Sequence, residues 1–134
     1  MAELKPTYPL AESGPGEART SSGRRVEEIT LDAVVQGEIT PGDIRVSPDV
    51  LRQQADFAQA GGNPQLADNL RRGAELVAFT DEELLELYES LRRGRASAAE
   101  LAALADRLEA GAATSCAAMV REARTAYVRR GLTA

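Results

Sequence analysis

The 134-residue chain has no His and no Trp, a single Cys, and only 4% aromatic residues. Each shortage excludes something. Without His, neither a hydrolytic triad nor a His-based acid–base pair can be assembled from this chain. One thiol makes no disulfide framework, and with no imidazole beside it no typical His/Cys metal site either, so a reducing, intracellular setting is the simplest reading. So few aromatics leave Leu, Val and Ala to fill the core, which suits thin, closely packed helices. No run approaches the ~20 apolar residues of a membrane-spanning helix, and the first residues show no apolar stretch behind a basic start. A cytoplasmic chain without a membrane partner is expected.

What is present is an ordinary soluble composition, 43% hydrophobic and 28% charged, with a formal net charge of -5. The length suits one domain. The acidic balance argues against a nucleic-acid partner, which requires a concentrated basic face. Residues 1–29 show no sustained period. Ser13-Gly14-Pro15-Gly16 and Ser21-Ser22-Gly23 within them are linker-like, so this stretch reads as an extended, irregular N-terminal arm ahead of a helical domain, 30–134. Tyr8-Pro9-Leu10 is the arm's apolar cluster. It is either an extended anchor, against this domain or another chain, or part of a disordered tail.

From Thr30 onward the signals are helical. Thr30 caps a short helix through Leu31, Val34 and Val35 that ends at Gly37. Thr40-Pro41-Gly42-Asp43 repeats the cap-then-proline signal and leads through Ile44 and Val46 to Ser47-Pro48-Asp49. There Ser47 is read as an N-cap whose hydroxyl accepts a backbone N–H, Pro48 as the first helical residue, and Asp49 as a favourable charge at the positive helix end. Val50, Leu51, Gln54, Phe57 and Ala58 fall at helical spacing before Gly61-Gly62. Asn63-Pro64 opens a helix with Leu66, Ala67, Leu70, Ala74 and Val77 on one face. Thr80 to Glu83 and Ser97 to Glu100 are capping boxes. The first precedes the strongest apolar stripe, Leu84, Leu85, Leu87, Tyr88 and Leu91. The second precedes Leu101, Leu104, Ala105 and Leu108. Gly111 either ends or bends the chain before a last helix, from about residue 112 to 130, with Cys116, Ala117, Val120, Ala123, Tyr127 and Val128 inward and Gly131 as its stop. No strand period appears. The expected fold class is all-α, a small bundle of about five or six short helices behind the arm.

Chemistry is sparse. Cys116 lies on an apolar helix face, where a lone thiol is a small core residue. Asp81, Glu82, Glu83, Glu86 and Glu89 lack the spacing of a calcium loop and read as a solvated helix face. No catalytic, cofactor-binding or metal-binding residue is assigned. A polar surface remains, with Arg45, Arg52, Gln53 and Gln54 around the helix starting at Ser47, and Arg121, Arg124, Arg129 and Arg130 on the last helix. On residues alone, a free-standing helical regulatory or nucleic-acid-binding module stays open, as does an independent enzyme built on Cys116 or an acidic pair.

The order of the motifs narrows this. Asp43-Ile44-Arg45-Val46-Ser47-Pro48-Asp49, followed by Leu51 and Gln54-Ala55, resembles the signature segment of the small (gamma) subunit of adenosylcobalamin-dependent diol and glycerol dehydratases. Asn69-Leu70-Arg71-Arg72-Gly73-Ala74-Glu75-Leu76, then Leu85-Glu86-Leu87-Tyr88-Glu89-Ser90-Leu91-Arg92, then Val120-Arg121-Glu122-Ala123 with Tyr127 and Arg130, resemble the family's later blocks. Tyr8-Pro9-Leu10-Ala11 is similar to the start of its common region. There are two departures. Leu91-Arg92-Arg93-Gly94-Arg95-Ala96 lacks a proline usual at that point, which suggests a less rigid connection. Only seven residues precede Tyr8, without the N-terminal extension that directs some members into bacterial microcompartments, so encapsulation would come through a partner. The resemblance implies an assembly of large, medium and small subunits, two of each. Adenosylcobalamin would be bound by the partner subunits, and a 1,2-diol or glycerol converted to an aldehyde by a radical route with loss of water. This chain would be a non-catalytic subunit packed on the large one, through interface residues expected to be Tyr8, Leu10, Arg45, Arg52, Gln54, Arg121 and Tyr127.

Overall fold

The computed structural model describes residues 8, 9, 12 and 19–134. Among the described residues there are six α-helices, α1 (Leu31–Val35), α2 (Pro48–Ala60), α3 (Pro64–Leu76), α4 (Asp81–Ser90), α5 (Ala98–Ala110) and α6 (Thr114–Arg130), preceded by a single 3-10 turn, Val26–Glu28. They include no strand, only an isolated antiparallel bridge between Arg19 and Arg25. The chain is all-α, as its periodicity predicts.

Most helices start where a local cap dictates. The Thr30 hydroxyl accepts the Ala33 N–H at 3.2 Å, and the Asn63 carboxamide oxygen accepts that of Leu66 at 3.1 Å. Thr80 with Glu83 and Ser97 with Glu100 close both arms of their capping boxes. Gly131, at φ 64°, stops α6 in the left-handed conformation that costs a residue without Cβ nothing. Two expectations are corrected. Ser47 occupies the N-cap position but its hydroxyl takes no helix N–H, so the start of α2 rests on Pro48, whose fixed φ suits the first turn, and on Asp49. Thr40-Pro41-Gly42-Asp43 opens no helix. Its capping signal runs backwards, the Asp43 carboxylate accepting the Thr40 N–H and hydroxyl at 2.7 and 2.8 Å to close a turn.

Contacts divide the chain into two compact units, Met1–Ala74 and Glu75–Ala134. In the first, the buried ones among the described residues are small, Ala33, Ala55, Ala67 and Ala74, together with Asp43. There α2 and α3 approach at Gly73, where a Cβ would lie 3.8 Å from Leu51, and Arg71 of α3 reaches Asp56 of α2 at 3.5 Å.

The second unit is a small bundle with a true apolar core. Leu87 of α4 meets Leu104, Ala105 and Leu108 of α5 and Cys116, Ala117 and Val120 of α6, with Leu76, Phe79 and Leu91 packed against them. Gly111 ends α5 instead of bending it, and Ala112 adopts φ 62° before α6 begins. The apolar stripe of α4 is wider than the core behind it. Leu87 is buried and Leu84 and Leu91 half-buried, but Leu85 and Tyr88, on the flank, are exposed. The connection that lacks the usual proline carries other fastenings. Gly94 N–H donates to the Leu132 carbonyl at 2.8 Å, Ala134 N–H to that of Ala96 at 2.9 Å, and the Tyr127 hydroxyl to that of Leu91 at 2.7 Å.

Candidate functional site

The segment beginning at Asp43 is organised by a polar knot. Asp43 is buried, and its carboxylate accepts the Ser22 hydroxyl besides both Thr40 donors, with the Arg24 guanidinium 3.5 Å away. Arg24 also donates to the Glu38 carbonyl at 3.0 Å, and the Ser21 hydroxyl to that of Gly42 at 2.8 Å. The hydrogen bonds from Ser22, then Thr40, lower the Asp43 carboxyl from 3.8 to about 2. The knot fixes the loop at 20–24 and the segment 38–43 to each other.

The candidate interface residues of the first unit lie on its surface. Arg45 is exposed, and no described residue partners its side chain. Arg52 is exposed but paired with Asp49, one turn away on α2, at 2.9 Å. Gln54 and Tyr8 come together along an apolar groove of about 630 Å³, with Phe57, Leu66 and Leu70. The Tyr8 ring stands edge-on to Phe57, centroids 6.1 Å apart. Gln53 turns its Oε1 inward, where it meets no hydrogen-bond partner among the described residues. Leu10 lies outside the described residues.

The two candidates in the second unit hold their own unit together. Arg121 bridges from α6 to Asp106 of α5 at 3.1 Å and also to Glu109, and these hydrogen bonds, Glu109 first, raise its pKa. Tyr127 directs its hydroxyl at the Leu91 carbonyl. Both side chains are thus engaged within the second unit.

Sequence reasoning missed two features. Leu31 and Val35 of α1 are 78% and 77% exposed and Ile44 is 70% exposed, with Val34 and Val46 also open. Glu75 caps α6 from a distance, its carboxylate accepting the N–H groups of Ser115 and Cys116 at 3.0 and 2.9 Å, where Ala113 offers no side-chain cap. Burial raises the Glu75 carboxyl, but the bonds from Ser115 and Cys116 outweigh it and hold the group below its usual value. The signal for Glu75 was the lack of any capping side chain before α6. For α1 no local signal distinguishes an inward row from an outward one.

Cys116 sits in the apolar cluster beside Leu104 and Val120, without access for a substrate. The described residues bring no three of His, Cys, Asp and Glu together to hold a metal, and include no helix long and apolar enough to cross a membrane. Most arginines are matched with acids, including Arg92 and Arg95 with Glu89 and Arg107 with Glu86, so no concentrated basic face forms and the nucleic-acid-binding reading finds no support. The family model for the dehydratase small subunit matches residues 4–133. The propanediol dehydratase small subunits of Citrobacter freundii and Salmonella typhimurium are each 42% identical over 124 residues, 92% of this chain and 72% of theirs. The chain belongs to the dehydratase small-subunit family.

Proposed function

We propose that this chain is the non-catalytic small subunit of an adenosylcobalamin-dependent propanediol (diol) or glycerol dehydratase, supporting the large catalytic subunit that converts the diol to an aldehyde with loss of water. The observation that carries the reading is the family match along nearly the whole chain. The donor set of this chain does not fit a cobalamin. The groove lined by Tyr8, Phe57 and Leu70 is apolar and open, with little to hold the polar rim of so large a group. We assign the cofactor to the partner subunits, large and medium, with two copies of each subunit in the assembly. A cytoplasmic location fits this role.

Docking is assigned to Tyr8, Leu10, Arg45, Arg52 and Gln54, with Arg121 and Tyr127 shaping the second unit. Co-expression tests the reading. Tagged large and medium subunits should retain this chain in equal proportion through purification and show cobalamin-dependent aldehyde formation. A large–medium complex that is stable and fully active without this chain would contradict it.

A further inference from the structure

Helix α1 is built inside out. In a helix that packs on its own chain, residues at i, i+3 and i+4 face the core. In α1 these are Leu31, Val34 and Val35, all at least half exposed, while Ala33, on the opposite side, is the residue buried. Ile44 and Val46 repeat the pattern just beyond the Asp43 turn. Aliphatic side chains left in water contribute nothing to the fold of the isolated chain, and a helix of five residues gains no stability from its own length.

The segment carrying them is nonetheless held firmly. Arg24 ties the Glu38 carbonyl, just past α1, to the Asp43 carboxylate, just before Ile44, and Ser22 and Thr40 complete the knot. A surface fixed in advance binds without the entropic penalty of ordering a loop. Between Ile44 and Val46 stands Arg45, the one arginine of this unit whose side chain has no partner among the described residues.

We infer that the outward row of α1, with Ile44, Val46 and Arg45, is the surface through which this chain docks on a partner subunit of the dehydratase, one presenting an aliphatic groove bordered by a carboxylate for Arg45. The inference rests on the proposed function and names where that assembly forms. Charge complementarity selects the partner, since a lone guanidinium inside an aliphatic patch calls for a single acid at its edge.

The test is capture of Val35→Glu, Ile44→Glu and Arg45→Glu variants by the co-expressed, tagged partner subunits, beside the wild type and a Leu85→Glu control on α4. The replaced side chains are exposed, so helicity and melting temperature should stay at wild-type values. Capture of V35E and I44E is expected to fall roughly tenfold or more, and of R45E several-fold, with L85E unaffected. Val35→Thr, which keeps the shape and adds one hydroxyl, should weaken capture by a smaller factor. Wild-type capture of V35E and I44E overturns the inference and leaves the proposed function standing. Failure of the wild-type chain to be captured overturns both. Self-association of the isolated chain that V35E abolishes, with capture unchanged, overturns it in favour of contact between copies.

Discussion

In the second unit the buried side chains include Leu87, Leu101, Leu104, Leu108 and Val120. In the first, those buried among the described residues are four alanines and an aspartate. The aliphatic residues that might have filled a core there, Leu31, Val34, Val35, Ile44 and Val46, lie in the open. One unit is held by apolar burial, the other by close approach of small residues and a buried polar knot. Burying a Leu side chain contributes on the order of 2 kcal/mol and an alanine methyl far less, so the first unit has a thinner margin of its own and more to gain from a covering surface. On the proposed docking, the second unit is the half with its own core and the first the half that assembly completes.

The sharpest way to break the comparison is to make the same deletion in both halves. Leu108→Ala, at a position 2% exposed, should destabilise the second unit by roughly 2–5 kcal/mol in denaturant unfolding. Leu31→Ala should change the isolated chain by no more than about 0.5 kcal/mol. Comparable losses at the two sites would mean that α1 packs on its own chain after all.

Acid separates the halves next. Because the Asp43 carboxyl is lowered to about 2 when folded, its contribution is complete above the unfolded value of 3.8 and fades as pH falls from there towards 2. Amide protection across residues 19–46, followed by NMR, should be lost through that window in the wild type, and Asp43→Asn should abolish the step while loosening the segment at every pH. Glu75 plays the corresponding part in the second unit. Its value is also lowered when folded, so its support is complete above the usual 4.5 and declines below it. Glu75→Gln, which keeps one neutral acceptor oxygen for the N–H groups of Ser115 and Cys116 and sets a donor NH2 against the other, should lower stability at neutral pH by about 1–2 kcal/mol. One effect is a gain. Ala112 holds φ 62°, so Ala112→Gly should relieve strain and raise stability by about 0.5–1 kcal/mol, readable as a small rise in melting temperature.

What the sequence made legible follows the range of each interaction. Thr30, Asn63, Thr80 and Ser97 placed four helix starts because a cap acts within three residues. Leu101, Leu104, Ala105 and Leu108 declared a core face because helical spacing put them on one side. The Asp43 knot was hidden because Ser22 lies 21 positions away, and the Glu75 cap because Ser115 lies 40 away. Periodicity also gives the width of an apolar face without saying what covers it. That is why Leu85 and Tyr88 belong to the apolar stripe of α4 yet lie exposed, and why the spacing of Leu31, Val34 and Val35 on α1 did not tell that they face out. Of the candidate surface, Arg45 and Gln54 were visible as a polar cluster. The aliphatic residues beside Arg45 were not.

Amide hydrogen exchange of this chain, alone and assembled with the large and medium subunits, bears most directly on the claim that the first unit is completed by its partners. Residues 31–46 should gain protection by a large factor on assembly, while the core of α5 and α6, already protected in the isolated chain, changes little. Protection gained only in α5 and α6, with residues 31–46 exchanging as fast in the complex as alone, would contradict it.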